Sequence, residues 1–232
     1  MIGEDEDQEC NNLELSMAAQ SVFVEAAVDT FEGALAAERE GVDRIEVCGP
    51  LDEGGTTPAT DLITRCVDRL RTPLHVLVRP RAGEFVYTAV EIATMKADIV
   101  RAKLLGVHGV VTGALTADGT IDVDVLAELI VVARPMRVCF HRAFDCVHDQ
   151  FAALEILVSR GCDLVLTSGA APTALLGADR LRALVERAGD RIGIIAGGSI
   201  TSDHVREIVA RTGVRQVHGR AFRGLPAALR DS

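Results

Sequence analysis

The segment VFVEAAVDTFEGALAAEREGVDRIEVC, residues 22–48, changes its period twice. Val22 to Val28 is a β-rich run, Thr30 to Gly41 carries apolar residues at helical spacing, and Asp43 to Cys48 is β-rich again. A helix between two strands carries the chain back to its starting edge, so the strands it joins lie parallel. Gly41 falls where that helix must stop and reads as its C-cap.

The unit recurs along the chain. LHVLVR (74–79), HGVVTG (108–113), RVCFHR (137–142), DLVLTS (163–168), IGIIAGG (192–198) and RQVHG (215–219) read as further strands, separated by helical segments such as EIATMKADIVRAKLLG (91–106). Eight such strands predict an α/β fold, a TIM-type (β/α)8 barrel. A doubly wound open sheet is the runner-up, with no G-x-G-x-x-G after the first strand to recommend it. After the last strand only RAFRGLPAALRDS remains, so a short or irregular final helix is expected. Residues 1–20 are highly charged with few large apolar side chains and read as a disordered acidic tail, leaving 21–232 as a single domain.

Composition narrows the function. Hydrophobic residues make up 48% of the 232 and aromatics only 3%, a core of Val, Leu, Ile and Ala such as buried parallel strands use. The net charge is -10, but the first twenty residues hold six acids and no Lys or Arg, so the body is only mildly acidic. No basic cluster interleaves with aromatics, which argues against nucleic acid as a partner. No apolar run reaches membrane-spanning length, and the N-terminus is acidic where a signal peptide is basic. Six cysteines without a C-x-x-C pair read as reduced thiols, so the expected location is cytoplasmic, with no membrane partner.

Residues on one strand alternate between its faces, so Glu46 and Cys48 share a face, as do His75, Leu77 and Arg79, and Arg137, Cys139 and His141. In a barrel the loops after the strand C-termini form the functional face, and polar residues collect there: Glu25, Glu46, Arg79, Arg81, His141, Arg142, Thr167, Ser168 and His218. An inward charge left unpaired costs several kcal/mol, so partners, water or a ligand are implied. Glu25, Glu46, Arg79 and His141 are the candidate catalytic residues, with His141 as acid or base, a Glu as its partner or a metal ligand, and Arg79 as an anion clamp. Mutual neutralisation inside a barrel is the bland alternative, and a buried Cys48 is ordinarily an inert small hydrophobe.

Gly197 and Gly198 follow the seventh strand, and Gly219 and Arg220 end the eighth. Barrels often bind phosphate at this pair of loops, and a helix N-terminus near Thr201 would add to the attraction. Arg81, Arg142, Thr167, Ser168, Gly197, Gly198, Gly219 and Arg220 are therefore the candidate ligand or anion contacts. Tight turns and a Thr201 N-cap account for the same glycines without any ligand. EGGTTP (53–58) lacks the Lys of a P-loop.

GVDRIEVCGPLDEGGTTP (41–58), VLVRPRAGEFVYT (76–88), GVVTGALTADGTID (109–122), FHRAFD (140–145), LTSG (166–169) and AGGSIT (196–201) together resemble the CutC family of copper homeostasis proteins. The resemblance runs from about Ser21 to Ala221. It implies a TIM-type barrel, a cytoplasmic homo-oligomer, and a Cu(I)-binding role attributed to cysteines. Carried over by residue, it falls on Glu25, Glu46, Cys48, Arg79, Arg81, His141, Arg142 and Asp145. One departure bears on copper: where the family reads E-V-C-V-D on the first strand, this chain has EAAVD, with Ala27 in place of a thiol. Cu(I) favours soft thiolates, so Cys48 is left as the candidate Cu(I) ligand, without its partner unless Cys139 or a His completes the site. Ala82, Glu84 and His218-Gly219 are smaller departures. Two readings stand for the function: a copper homeostasis protein binding Cu(I) weakly, or an enzyme acting on a small anionic or phosphorylated metabolite at the barrel mouth. A barrel kept as an interaction scaffold is a weaker third.

Overall fold

The computed structural model describes residues 22–220 and 222–230, so the acidic tail expected over 1–20 lies outside them. The strands are β1 Phe23–Val28, β2 Arg44–Val47, β3 Leu74–Leu77, β4 Gly109–Thr112, β5 Arg137–Phe140, β6 Leu164–Thr167, β7 Gly193–Ala196 and β8 Gln216–Gly219. After each comes a helix: α1 Phe31–Glu40, α2 Thr60–Arg69, α3 Ala89–Leu105, α4 Val123–Ala133, α5 Gln150–Arg160, α6 Ala178–Ala188, α7 Val205–Thr212 and α8 Leu225–Arg230. The strands are parallel and in chain order, and β8 pairs with β1 to close the barrel, setting His218 beside Glu25. That closure excludes the open-sheet alternative. The final helix is six residues long, short as expected.

Local chemistry explains the boundaries. Thr30 accepts the Gly33 N–H at the start of α1, and Gly41, at φ 76°, closes it in the left-handed region that glycine enters most readily. Thr88 and Glu91 form a reciprocal capping box on α3. Strand alternation then divides the apolar residues into two cores. Val24, Ala26, Ile45, Val47, Val76, Val110, Val138 and Val165 point outward and pack under the helices. Ala27, Cys48, Leu77, Val111, Cys139, Leu164, Leu166 and Ile195 fill the barrel interior as a separate cluster.

Polar residues occupy the interior too. Arg44 and Glu25 are ion-paired through Arg44 Nε, at 2% and 1% exposure, while Arg44 Nη2 donates to Gln216 Oε1 at 3.1 Å. His75 packs beside them, its Nδ1 3.9 Å from Glu25. Gly109 on β4 makes room for that ring, because a Cβ there would lie 2.4 Å from His75 Nε2.

Candidate functional site

Above this polar layer a cavity of about 390 Å³ opens at the C-terminal ends of the strands. Ala27, Cys48, Leu77 and Leu166 give it an apolar lining, and Glu46, Arg79, His141, Arg142, His218 and Arg220 supply its polar groups. Gly198, Ser199, Ile200 and Thr201 complete the wall after β7. The volume suits a small metabolite.

His141 leaves β5 directly into a short 3-10 turn, Arg142–Cys146. The Ala143 N–H donates to its Nδ1 at 3.2 Å, which fixes that nitrogen as the acceptor. Burial and the nearby Arg79 charge push its pKa down to about 3, so the ring is neutral and its proton sits on Nε2. That Nε2 is buried and has no hydrogen-bond partner among the described residues. Phe85 packs against the ring at 4.8 Å between centroids and holds it in place. A group expected as acid or base thus lines the cavity as a neutral ring that carries a donor, not an acceptor, at its buried Nε2.

Two carboxylates of one type have opposite environments. Burial alone would raise the Glu25 pKa, but the Arg44 guanidinium, with His218 and His75, outweighs it and holds that carboxyl well below the usual range. Glu46 has no such cation: burial, with Glu25 adding to it against the pull of His218, pushes it up to about 7. His218 Nδ1 lies 2.7 Å from Glu25 and 3.4 Å from Glu46. Burial works to lower the His218 pKa, and these two carboxylates raise it on balance. Glu25 does not line the cavity; it lies beneath it and reaches it through His218.

Arg79 is largely committed to holding loops. Its Nη1 donates to the Gly54 and Gly55 carbonyls at 3.3 and 3.0 Å and its Nη2 to Gly83 O at 2.8 Å. Arg81 is set apart from the cavity, its guanidinium bonded to Glu91 and to the carbonyls of Glu84 and Val86. Thr167 and Ser168 also lie off the cavity. Both bond to Asp145, which accepts the Ser168 N–H and the Ala170 N–H at 3.1 Å and lies 2.8 Å from Arg142 Nε. Ser168 Oγ accepts from Arg142 Nη2 at 2.8 Å. These residues support Arg142 from behind.

Gly197 does not line the cavity; a Cβ there would meet Leu166 Cδ1 at 2.6 Å. Gly198 sits at φ 110° and Ser199 at φ 54°. The N–H groups of Ser199 and Ile200 find no acceptor among the described residues. The helix expected from Thr201 starts later, at Val205, after a turn in which Thr201 Oγ1 pairs with His204 Nδ1 at 2.7 Å. The unpaired amides on this side therefore belong to a loop rather than to a helix end. Arg220 makes no ion pair or hydrogen bond among the described residues and is near enough to Cys48 to oppose the rise in its pKa.

The five described cysteines, Cys48, Cys66, Cys139, Cys146 and Cys162, are all free thiols. At Cys48, burial together with Glu46 and Glu25 pushes the thiol well above its ordinary value, and burial does the same at Cys139. A single thiol with Ala27 in place of its partner is a poor fit to a two-thiolate Cu(I) site. The donor atoms of Glu25, Glu46 and His218 lie within 4.8 Å of one another, a hard set unlike the soft one Cu(I) prefers, and Arg44 already neutralises Glu25. Arg44, His75 and Gln216 were not singled out from sequence as site residues. Strand parity was the signal that could have found them, since each points inward.

Taken together, these features define a TIM-barrel protein with a polar cavity at the C-terminal end of its strands. The model of the CutC family matches residues 22–223. The chain is 45% identical over 201 residues to the human copper homeostasis protein cutC homolog, covering 87% of this chain and 74% of that one. It is 41% identical over 208 residues to a family protein CutC of Mesorhizobium japonicum, covering 90% and 81%. Among solved structures, the CutC protein of Streptococcus agalactiae superposes with a TM-score of 0.83 at 31% identity, covering 86% of this chain and 98% of that one. The chain belongs to the CutC family. An aldolase, QR15, matches with a TM-score of 0.67 at 15% identity, which is likeness of fold alone.

Proposed function

We propose that this protein serves copper homeostasis, as its human relative's name states, and that its mouth cavity binds a small anionic molecule rather than chelating Cu(I) through paired thiolates. The observation that carries this reading is the buried His141 Nε2–H, a donor without an acceptor, in a cavity that also holds the uncommitted Arg220. A buried donor left unsatisfied costs about 1–3 kcal/mol, and a ligand oxygen would remove that cost. An anion also matches the loop amides of Ser199 and Ile200 better than a metal ion would. Five unpaired thiols support a cytoplasmic location, and no helix among the described residues is long and apolar enough to cross a membrane. Exposed Val90, Val100 and Leu104 along α3 support assembly with further copies of the chain.

Two titrations test the reading. Cu(I) added against a competing chelator is expected to show the same weak binding by wild type and by Cys48→Ala. Tight binding lost in Cys48→Ala would overturn the choice against copper. Inorganic phosphate or 2-phosphoglycolate is expected to raise the melting temperature of wild type, with a smaller rise in Arg220→Met; no rise in wild type would overturn the anion site.

A further inference from the structure

We propose that the cavity moves a proton on the carbon next to the carbonyl of a small anionic substrate, with Glu46 as the base and the His141 Nε2–H as the donor to the carbonyl oxygen. The proposal rests on the cavity being a small-anion site and names the reaction done there.

Three placements carry it. Barrel order puts β5 across from β1, so His141 lines the wall of the cavity opposite that formed by Glu46 on β2 and His218 on β8. Base and oxyanion donor thus stand on different sides of the space a substrate would fill. Second, the donor is preorganised: its Nδ1 is held by the Ala143 N–H, Phe85 packs on its ring, and Nε2 is buried with nothing to bond. A neutral imidazole held in this way donates to a developing enolate oxygen without being consumed as an acid. Third, the anionic end has its own contacts at Ser199, Ile200 and Arg220, which fixes the reacting carbon relative to the base.

The two carboxylates divide the labour. Glu25 is committed to Arg44, whereas Glu46 faces the cavity and is surrounded by Glu25 on β1, Cys48 on its own strand, His218 on β8 and, lower down, Arg44. A base whose pKa lies near neutrality takes and returns a proton most readily. Schiff-base chemistry has no residue to use: the chain's two lysines, Lys96 and Lys103, lie on α3 and are bonded to Glu128 and to Arg134 O.

The step balances without a co-reactant. The Glu46 carboxylate takes a proton from the α-carbon, the C–H pair forms the carbon–carbon double bond of the enolate, and the carbonyl π pair moves onto oxygen against His141 Nε2–H. Return of a proton from Glu46 regenerates the carbonyl. In heavy water this exchanges the α-hydrogen for deuterium.

The experiment uses the full chain in deuterium oxide with dihydroxyacetone phosphate as probe, following loss of the α-proton signal by NMR. Calorimetry with 2-phosphoglycolate runs alongside as the binding readout. Wild type is expected to catalyse exchange, with a rate that rises as pH passes through about 7. Glu46→Gln is expected to lose about 10²–10⁴-fold, and His141→Gln about 10²–10³-fold, both still binding 2-phosphoglycolate. That retained binding shows that the variants are folded. Binding by wild type without exchange would overturn the proton transfer and leave the anion site standing. Absence of both would overturn the two together, and equal exchange in wild type and Glu46→Gln would remove Glu46 as the base.

Discussion

Glu25 and Arg44 form an ion pair sealed inside the barrel, at 1% and 2% exposure, and their energetics differ from those of the surface pairs on the helices. Neither group can be rehydrated if its partner is removed, so Arg44→Met takes away the guanidinium and leaves the buried Glu25 carboxylate with only His218, 2.7 Å away, to offset its charge. The expected loss is about 3–5 kcal/mol in urea denaturation, and Glu25→Gln combined with Arg44→Met is expected to recover most of it. If Arg44→Met costs no more than a surface substitution, Glu25 is not held as an anion. Strand parity made the inward direction of Glu25, Glu46 and His141 legible in sequence. Which carboxylate keeps the cation, and which His141 nitrogen keeps the proton, were not legible. Both depend on single contacts, Arg44 Nε to Glu25 and Ala143 N–H to Nδ1, that no period in the sequence encodes.

The element that most changes the site is the 3-10 turn Arg142–Cys146 between β5 and α5. It drops Asp145 behind the mouth, where the carboxylate gathers the Ser168 and Ala170 amides, the Thr167 and Ser168 hydroxyls and Arg142. The end of β6 and the Arg142 side chain are thereby fixed by one residue. Asp145→Ala strands several of these donors at once; each buried donor left unpaired costs about 1–3 kcal/mol, so a loss of at least about 2 kcal/mol is expected. Asp145→Asn, which keeps two acceptor lone pairs, is expected to lose less. Equal stability of Asp145→Ala and wild type, measured by thermal melting, would show that the turn holds itself. Thr167 and Ser168 sit at a strand end, which is why the sequence placed them with the mouth. That they serve the rear of it follows from the turn, whose residues carry no helical or strand period.

At the scale of the whole molecule the repeat of strand and helix decided the barrel, because each period change falls at a turn residue and eight units close without a partner. The buried titrating groups give that barrel a particular dependence on pH. His75 and His141 are each driven by burial down to about 3, so they contribute stability that is complete above the unfolded value of 6.5 and is lost as pH falls below it. Glu25, lowered on balance, adds to that loss once pH drops below 4.5. Glu46 works the other way: its contribution is present below 4.5 and lost as pH rises through about 7, and His218, also raised, declines further up. Between 4.5 and 6.5 two histidines outweigh one carboxyl, a net of about one proton and so about 1.4 kcal/mol per pH unit. Stability is therefore expected to rise with pH to a maximum at about 6.5 and then decline. Urea midpoints measured from pH 4 to 9 check this, and Glu46→Gln is expected to steepen the acid limb between pH 4.5 and 6.5, where the carboxyl no longer offsets one histidine, and to lessen the decline from 6.5 to about 7. A profile level across that range, or a Glu46→Gln curve parallel to wild type, would mean that Glu46 keeps an ordinary carboxylate's proton affinity inside the barrel.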